Sequence, residues 1–340
     1  MFSSLTKRQF KRFRSIKRAW YSLIILSALF VLSLFSEQIA NDKPLLLGYD
    51  GKIFFPTLKF YTDKDLGGLY KTEADYKKLE GEAHFKNNGG WMIFPIVQFD
   101  PYSSDWDESG APPHAPSLRH PLGTDHAARD VFARVLYGFR TSMFFSLTLS
   151  IFSTIIGFII GAIQGYTGRH VDMTMQRLIE MWSALPFLYV VILMGSIYGQ
   201  SFGVLLFVFC LFRWIGTSYY IRAEFLRLKN LTFVQASRAI GGGHIRVIFR
   251  QIMPNSLNPI ITLFPFDIII GISSLTALDF LGFGLAPPAP SWGELLQQGL
   301  ANLYAPWVAI SSVSALFITL LLASFIGEGA RAAFDTKAEE

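Results

Sequence analysis

His114, His120 and His126 recur every six residues and form a regularly spaced set of metal-ligating side chains. Spacing of i, i+4 puts two imidazoles on one helical face. Six residues does not, and Pro112, Pro113, Pro116 and Pro121 punctuate the run, so no metal site is expected. Catalytic signatures are missing too. "GYDGKI" lacks the glycine spacing and the hydroxyl of a G-x-x-x-x-G-K-[ST] phosphate loop, and neither H-E-x-x-H nor G-x-S-x-G occurs. The chain is expected to have no catalytic residue and to be unable to hydrolyse ATP alone. Cys210, the single cysteine, falls in an apolar run, which excludes a disulfide framework and makes redox chemistry unexpected. What remains is charge in unusual places. Glu180, Arg213 and Asp267 interrupt apolar runs, and "FVQASRAIGGGHIRVIFRQIMPN", Phe233–Asn255, sets three arginines, a histidine and three consecutive glycines between two apolar runs.

The elements that must position these residues are membrane helices. Of 340 residues, 51% are hydrophobic and 16% charged, with a mean hydropathy of +0.36, well above what a solvated surface tolerates. About 20 apolar residues of helix cross a hydrocarbon core. Stretches that qualify or come close are Ala19–Phe35, Ser142–Tyr166, Leu178–Tyr198, Phe202–Ile221, Leu257–Leu278 and Pro306–Gly327. The period-2 alternation of a membrane barrel is absent, so each span must satisfy its own backbone as a helix. The expectation is an all-α membrane protein of six transmembrane helices, with a long insert between the first two.

Charge sets the orientation. Lys7, Arg8, Lys11, Arg12, Arg14, Lys17 and Arg18 precede the first span with no acid among them, which predicts a cytoplasmic N-terminus. Counting spans puts Arg169 and Arg177, then Arg222, Arg227, Lys229, Arg238, Arg246 and Arg250, then Arg331 on that same side. The C-terminus is expected inside as well. "SEQIAND" loosely mimics a signal-peptide cleavage site, but the basic region is long for a signal and an uncleaved span is the reading adopted. The basic run itself is read as a topology signal in preference to lipid-specific recognition. The domain plan is a basic N-terminus (1–18), a first span (19–36), an extracytoplasmic insert (37–121) and a membrane domain (122–340) holding a cytoplasmic loop (222–256).

Within that loop, "TFVQASRA" has helix formers and a small-residue face at Ala236, Ser237 and Ala239. Gly241–Gly243 can reverse the chain in conformations closed to other residues. "HIRVIFRQI" resumes a helix up to Pro254, where the chain returns to the membrane. A helix, turn and helix of this kind suits a partner protein, its small residues allowing close approach and Arg238 pairing with an acid. An amphipathic connector lying on lipid is the competing reading.

The same stretch resembles the cytoplasmic coupling loop of permease subunits of binding-protein-dependent ABC importers, whose pattern is Glu-Ala-Ala, a Gly three residues on, and a later Leu-Pro. Ala236, Gly241 and Pro254 match, while Gln235 stands for the usual glutamate, Ser237 for an alanine and Met253 for the leucine. "LGTDHAARDVFARVLYGFRTS" (Leu122–Ser142), with Ala127-Ala128 where glycines are common, and "LDFLGFGLAPPAPSWGELLQQG" (Leu278–Gly299) resemble segments of dipeptide and oligopeptide permeases. "SEQIANDKPLLLGYDGKIFFPTLKFY" is similar to one branch, the YejE-type permeases of Gram-negative bacteria. The resemblance runs from Leu122 to Asp335. It implies a subunit of the bacterial inner membrane that works with a second permease subunit, two cytoplasmic ATPase domains that bind ATP and Mg, a periplasmic substrate-binding protein and a peptide cargo. No nucleic-acid partner is expected. Metal-chelate, haem and peptide-antibiotic importers share these motifs, which leaves the cargo open.

The intramembrane charges stay open on two readings. Arg213 lies nine residues before Arg222, and Asp267 twelve after Asn255, which puts them about 13 and 18 Å deep along their helices. They either pair, or line a cavity together with Glu180, or else Arg213 reaches the interface and Asp267 is neutral. A self-contained channel would need more polar residues across the spans, and an integral membrane enzyme would need a clustered nucleophile or metal set.

Overall fold

The computed structural model describes residues 4–106 and 110–334; the readings above that fall on Met1–Ser3 and on Asp335 lie outside the described residues. In chain order the helices are α1 (Ser4–Ser15), α2 (Lys17–Ser33), α3 (Ser36–Ile39), α4 (Tyr76–Gly81), α5 (Ala83–Asn87), α6 (Val131–Thr167), α7 (Arg169–Ser183), α8 (Phe187–Tyr198), α9 (Phe202–Leu228), α10 (Thr232–Ala239), α11 (His244–Val247), α12 (Met253–Phe280), α13 (Trp292–Ala301) and α14 (Pro306–Phe334). Among the described residues, four helices are long and apolar enough to cross a membrane: α6, α9, the continuous run His244–Phe280, and α14. Two bent pairs, α1 with α2 at 91° and α7 with α8 at 67°, bring the number to six if each pair counts as one span.

The sequence reading needs correction in several places. Leu178–Tyr198 is not one helix but the end of α7 and all of α8. Pro186 explains the break, because it offers no N–H to the preceding turn and disfavours helical backbone at Leu185. The helix that holds Ser142–Tyr166 begins at Val131, eleven residues before Ser142, since "VFARVLYGFRT" continues it at its polar end. Pro254 does not stop a helix. Ile248–Ile252 forms a π-helical turn and Pro254 follows within the first turn of α12, where its missing N–H is not needed.

The chain divides into two compact units. The first comprises Met1–Ser27, Ser142–Ala286 and Phe317–Glu340. Its largest core packs Phe145 and Leu149 against Val208, Phe209 and Leu275, with Phe145 edge-on to Phe209 at 5.2 Å between centroids. Beside it α6 crosses α9 at Gly157, Gly161 and Gly165. A Cβ on these glycines would stand 2.6, 2.5 and 2.6 Å from the carbonyl oxygens of Trp214, Ser218 and Arg222, so only glycine admits this approach. Near the chain ends, Phe13 and Ala19 are buried against Ala330 and Ala333 of α14.

The second unit comprises Ala28–Thr141 and Pro287–Leu316. Here the all-α expectation fails, because the insert contains an antiparallel sheet of β1 (Leu46–Tyr49), β2 (Lys52–Phe54) and β3 (Trp91–Ile93) in the order β2-β1-β3. Asp50 (φ 49°) and Gly51 (φ 70°) close the β1–β2 hairpin, the positive-φ pair that a two-residue turn requires. Leu47, Leu66, Leu79 and Phe85 fill a small core beneath the sheet.

Candidate functional site

Two turns of helix and a glycine corner present the loop after α9. Ile221, Phe225 and Leu228 of α9 form a buried cluster with Val234 of α10, Val247 of α11 and Ile252. Val234 is therefore the peg of α10, and burying it stabilises the docking by about 1.5–3 kcal/mol. Polar ties add to this. Lys229 Nζ donates to the Gly165 carbonyl at 2.8 Å, Tyr166 Oη and His244 Nδ1 share a hydrogen bond of 2.7 Å, and the Arg238 guanidinium lies 5.2 Å from the centroid of the Tyr166 ring. Arg222 grips Asp172 of α7 through two bonds of 2.5 and 2.7 Å.

The corner is made by Gly241 at φ 85°, whose N–H donates to the Arg238 carbonyl at 3.0 Å, and by Gly242, whose N–H reaches the Ser237 carbonyl at 2.9 Å. A Cβ at Gly242 would lie 2.5 Å from that carbonyl oxygen. Gln235, Ala236 and Ala239 face outward and Ser237 is half-buried. Gln235 Nε2 donates to the Asn230 carbonyl at 3.1 Å. Phe233, Ile240, Ile245 and Phe249 are exposed around them, so the presented surface is apolar with a basic rim. Pro254 is exposed at the start of α12, beyond this corner.

Of the three charges that interrupt apolar runs, two meet. Arg213 of α9 donates from Nη2 to Asp267 Oδ1 of α12 at 2.9 Å, both side chains being mostly covered. Glu180 stands apart from them, paired with Arg177 one turn earlier on an exposed face of α7 at 2.6 Å. Cys210 is half-buried in the apolar core of α9.

The second unit holds a polar cluster that the sequence reading missed. His120, which we expected to lack a metal-binding role, is fully buried. With both ring nitrogens protonated it donates from Nδ1 to Asp130 Oδ2 at 2.8 Å and from Nε2 to Asp105 Oδ2 at 3.1 Å, while the Phe99 ring lies 4.3 Å away. Burial works against a charged imidazole, but the hydrogen bonds to Asp130 and Asp105 outweigh it and raise the His120 pKa. Asp130 Oδ1 also accepts from the Ala133 N–H at 2.7 Å and so caps α6. Next to it, Glu294 of α13 accepts from Arg129 at 3.0 Å and from the fully buried Arg134 at 2.5 Å, with Asp125 2.8 Å from Arg129. Arg119 joins the set through Asp105 at 2.7 Å. These residues come from the two stretches Leu122–Ser142 and Leu278–Gly299 and from the insert, and no spacing rule joins them.

Comparison with known proteins gives this geometry its family. The chain is 43% identical over 333 residues, 98% of its own length and 97% of the relative's, to "Inner membrane ABC transporter permease protein YejE" of Escherichia coli (strain K12). It is 40% identical, covering 99% and 94% of the two chains, to "Peptidoglycan transport system permease protein YejE" of Agrobacterium fabrum. With the oligopeptide transport system permease protein OppC of Haemophilus influenzae it shares 34% over 72% of its length and 78% of that protein's. Among solved structures, an inward-facing MetNI methionine ABC transporter chain aligns with a TM-score of 0.48 at 16% identity, over 58% of this chain and 95% of that one. The family model for the binding-protein-dependent transport system inner membrane component matches residues 137–340, the part that carries the glycine corner and the Arg213–Asp267 pair, and the chain belongs to that family.

Proposed function

We propose that the chain is a permease subunit of an ATP-driven importer that carries peptides across the bacterial inner membrane by alternating access. The observation that carries this reading is the end-to-end 43% identity with a relative called an inner membrane ABC transporter permease. The chain itself does no chemistry. A second permease subunit completes the passage, two cytoplasmic ATPase domains hold ATP and Mg, and a periplasmic binding protein delivers the peptide. Both termini and the α10–α11 corner lie in the cytoplasm, and residues 37–121 face the periplasm.

In this reading the exposed face of α10, with Gln235, Ala236 and Ala239 flanked by Phe233, Ile240 and Ile245, seats in a groove of an ATPase domain. ATP-driven closure of the ATPases shifts the seated helix, and α9 and α12 carry the displacement into the membrane. Arg213 and Asp267 keep these two helices in step. The test is co-purification of the chain with an ATPase whose turnover rises when the binding protein is added; an ATPase that co-purifies but never responds would sink the proposal. The name of the Agrobacterium relative favours a narrower cargo, peptides released from peptidoglycan. Competition between muropeptides and unrelated oligopeptides for uptake separates the two.

A further inference from the structure

Where α1 meets α12 and α14, the first unit has an apolar groove of about 410 Å³, bordered by Phe10 and Phe13 of α1, Ile260, Phe264 and Pro265 of α12, and Ile326 of α14. Its size falls within the roughly 300–1,000 Å³ of ligand-binding clefts. Helix α1 stands at 91° to α2, and a helix perpendicular to a span lies in the plane of the membrane surface. Its composition suits that plane. Seven basic residues precede the first apolar run, and no acid occurs before Glu37. Lys11 and Arg14 are exposed and each follows a groove-lining phenylalanine by one residue, about 100° round the helix. Trp20 packs edge-on against Phe10 and Phe13, with the Arg14 guanidinium 5.5 Å from its ring centroid. Tryptophan at this level is an interfacial anchor.

An apolar groove beside a cationic, in-plane helix matches one ligand class. Against the reading of the basic run as a topology signal alone, we infer that the groove binds an anionic phospholipid, its acyl chain against Phe13, Phe264 and Ile326 and its phosphate against Lys11 and Arg14. The site lies outside the coupling corner and does not depend on the cargo.

The experiment uses the full chain, extracted in detergent with its accompanying subunits and read by native mass spectrometry after exposure to phosphatidylglycerol or phosphatidylethanolamine. Retention of phosphatidylglycerol over phosphatidylethanolamine is expected. The K11Q/R14Q double variant should lower that preference by tenfold or more, since each basic charge near an anionic surface is worth about fivefold. K11R/R14K, which keeps both charges, should retain it, and I260W, which fills the groove, should lower retention of either lipid. Soluble glycerol phosphate should not compete. Equal retention of the two lipids, variants indistinguishable from the parent, or full competition by glycerol phosphate would overturn the inference. So would a disulfide or crosslink from a cysteine placed at Ile261 to another subunit, because protein would then cover the groove.

Discussion

Arg213 and Asp267 join α9 to α12 through a single 2.9 Å contact inside otherwise apolar helical stretches. An unpaired charge at the centre of a span costs roughly 2.5–3.5 kcal/mol on insertion scales. R213Q and D267N alone should each lower the amount of assembled protein or the uptake rate, and the double variant should lose less than the sum. Quantifying inserted protein and uptake for the four combinations checks this; strictly additive losses would dissolve the pair.

His120 gives the second unit a pH dependence with a definite sign. Its folded pKa is raised, so the stability it contributes is complete below the ordinary histidine value of about 6.5 and is lost as pH rises through the folded pKa. A neutral imidazole can donate to only one of Asp105 and Asp130, so one hydrogen bond to a buried carboxylate is lost while Asp105 keeps Arg119 and Asp130 keeps the Ala133 N–H. Protection against hydrogen exchange around Asp105 and Ala133, taken relative to the intrinsic base-catalysed rate at each pH, should therefore fall on going alkaline from about pH 6.5. H120N should flatten that dependence, and an unchanged profile in the variant would refute the assignment.

Three adjacent glycines should respond differently. G241V forces a β-branched residue to φ 85° at a cost of about 1–3 kcal/mol and should abolish uptake by misplacing α10. G242A drives a Cβ to within 2.5 Å of the Ser237 carbonyl oxygen and should also fail. G243A should be tolerated, because Gly243 has φ −67° and open space around it. Uptake assays with matched expression levels decide; equal tolerance at all three positions would remove the corner from the mechanism.

Glu294 serves two arginines at once. E294Q leaves Arg134, which has no solvent exposure, without its closest carboxylate, and breaking such a buried pair costs on the order of 3–5 kcal/mol. Asp125 still holds Arg129, so the expected loss is about 3 kcal/mol. Thermal unfolding in detergent would read it as a lowered midpoint, and a midpoint equal to that of the parent would contradict the geometry.

Spans and candidate charges were legible because hydropathy and charge are local properties. The runs centred on Ser142–Tyr166 and Pro306–Gly327 fall within α6 and α14. The residues Asp50 and Gly51 carried a readable hairpin signal that composition-level reading of the insert passed over. Pro186 likewise announced the α7–α8 break. The cluster around Glu294 was not legible, since its partners Asp125, Arg129 and Arg134 lie some 160 residues away and only folding brings them together. The π turn before Pro254 was also hidden, because a single extra residue in a helix leaves no periodic trace.

The glycines 157, 161 and 165 have a mechanical consequence. With the α6 glycines set directly against backbone carbonyls and the Cβ atoms of Thr217, Ile221 and Phe225 on α9, the two helices have only a thin layer in which sliding could be absorbed. A transmission without slack converts even a small push at one end into a matching movement at the other. In the transport cycle proposed above, bulk at these positions would insert a cushion, so that a stroke delivered at Phe225 dissipates before it reaches Phe145.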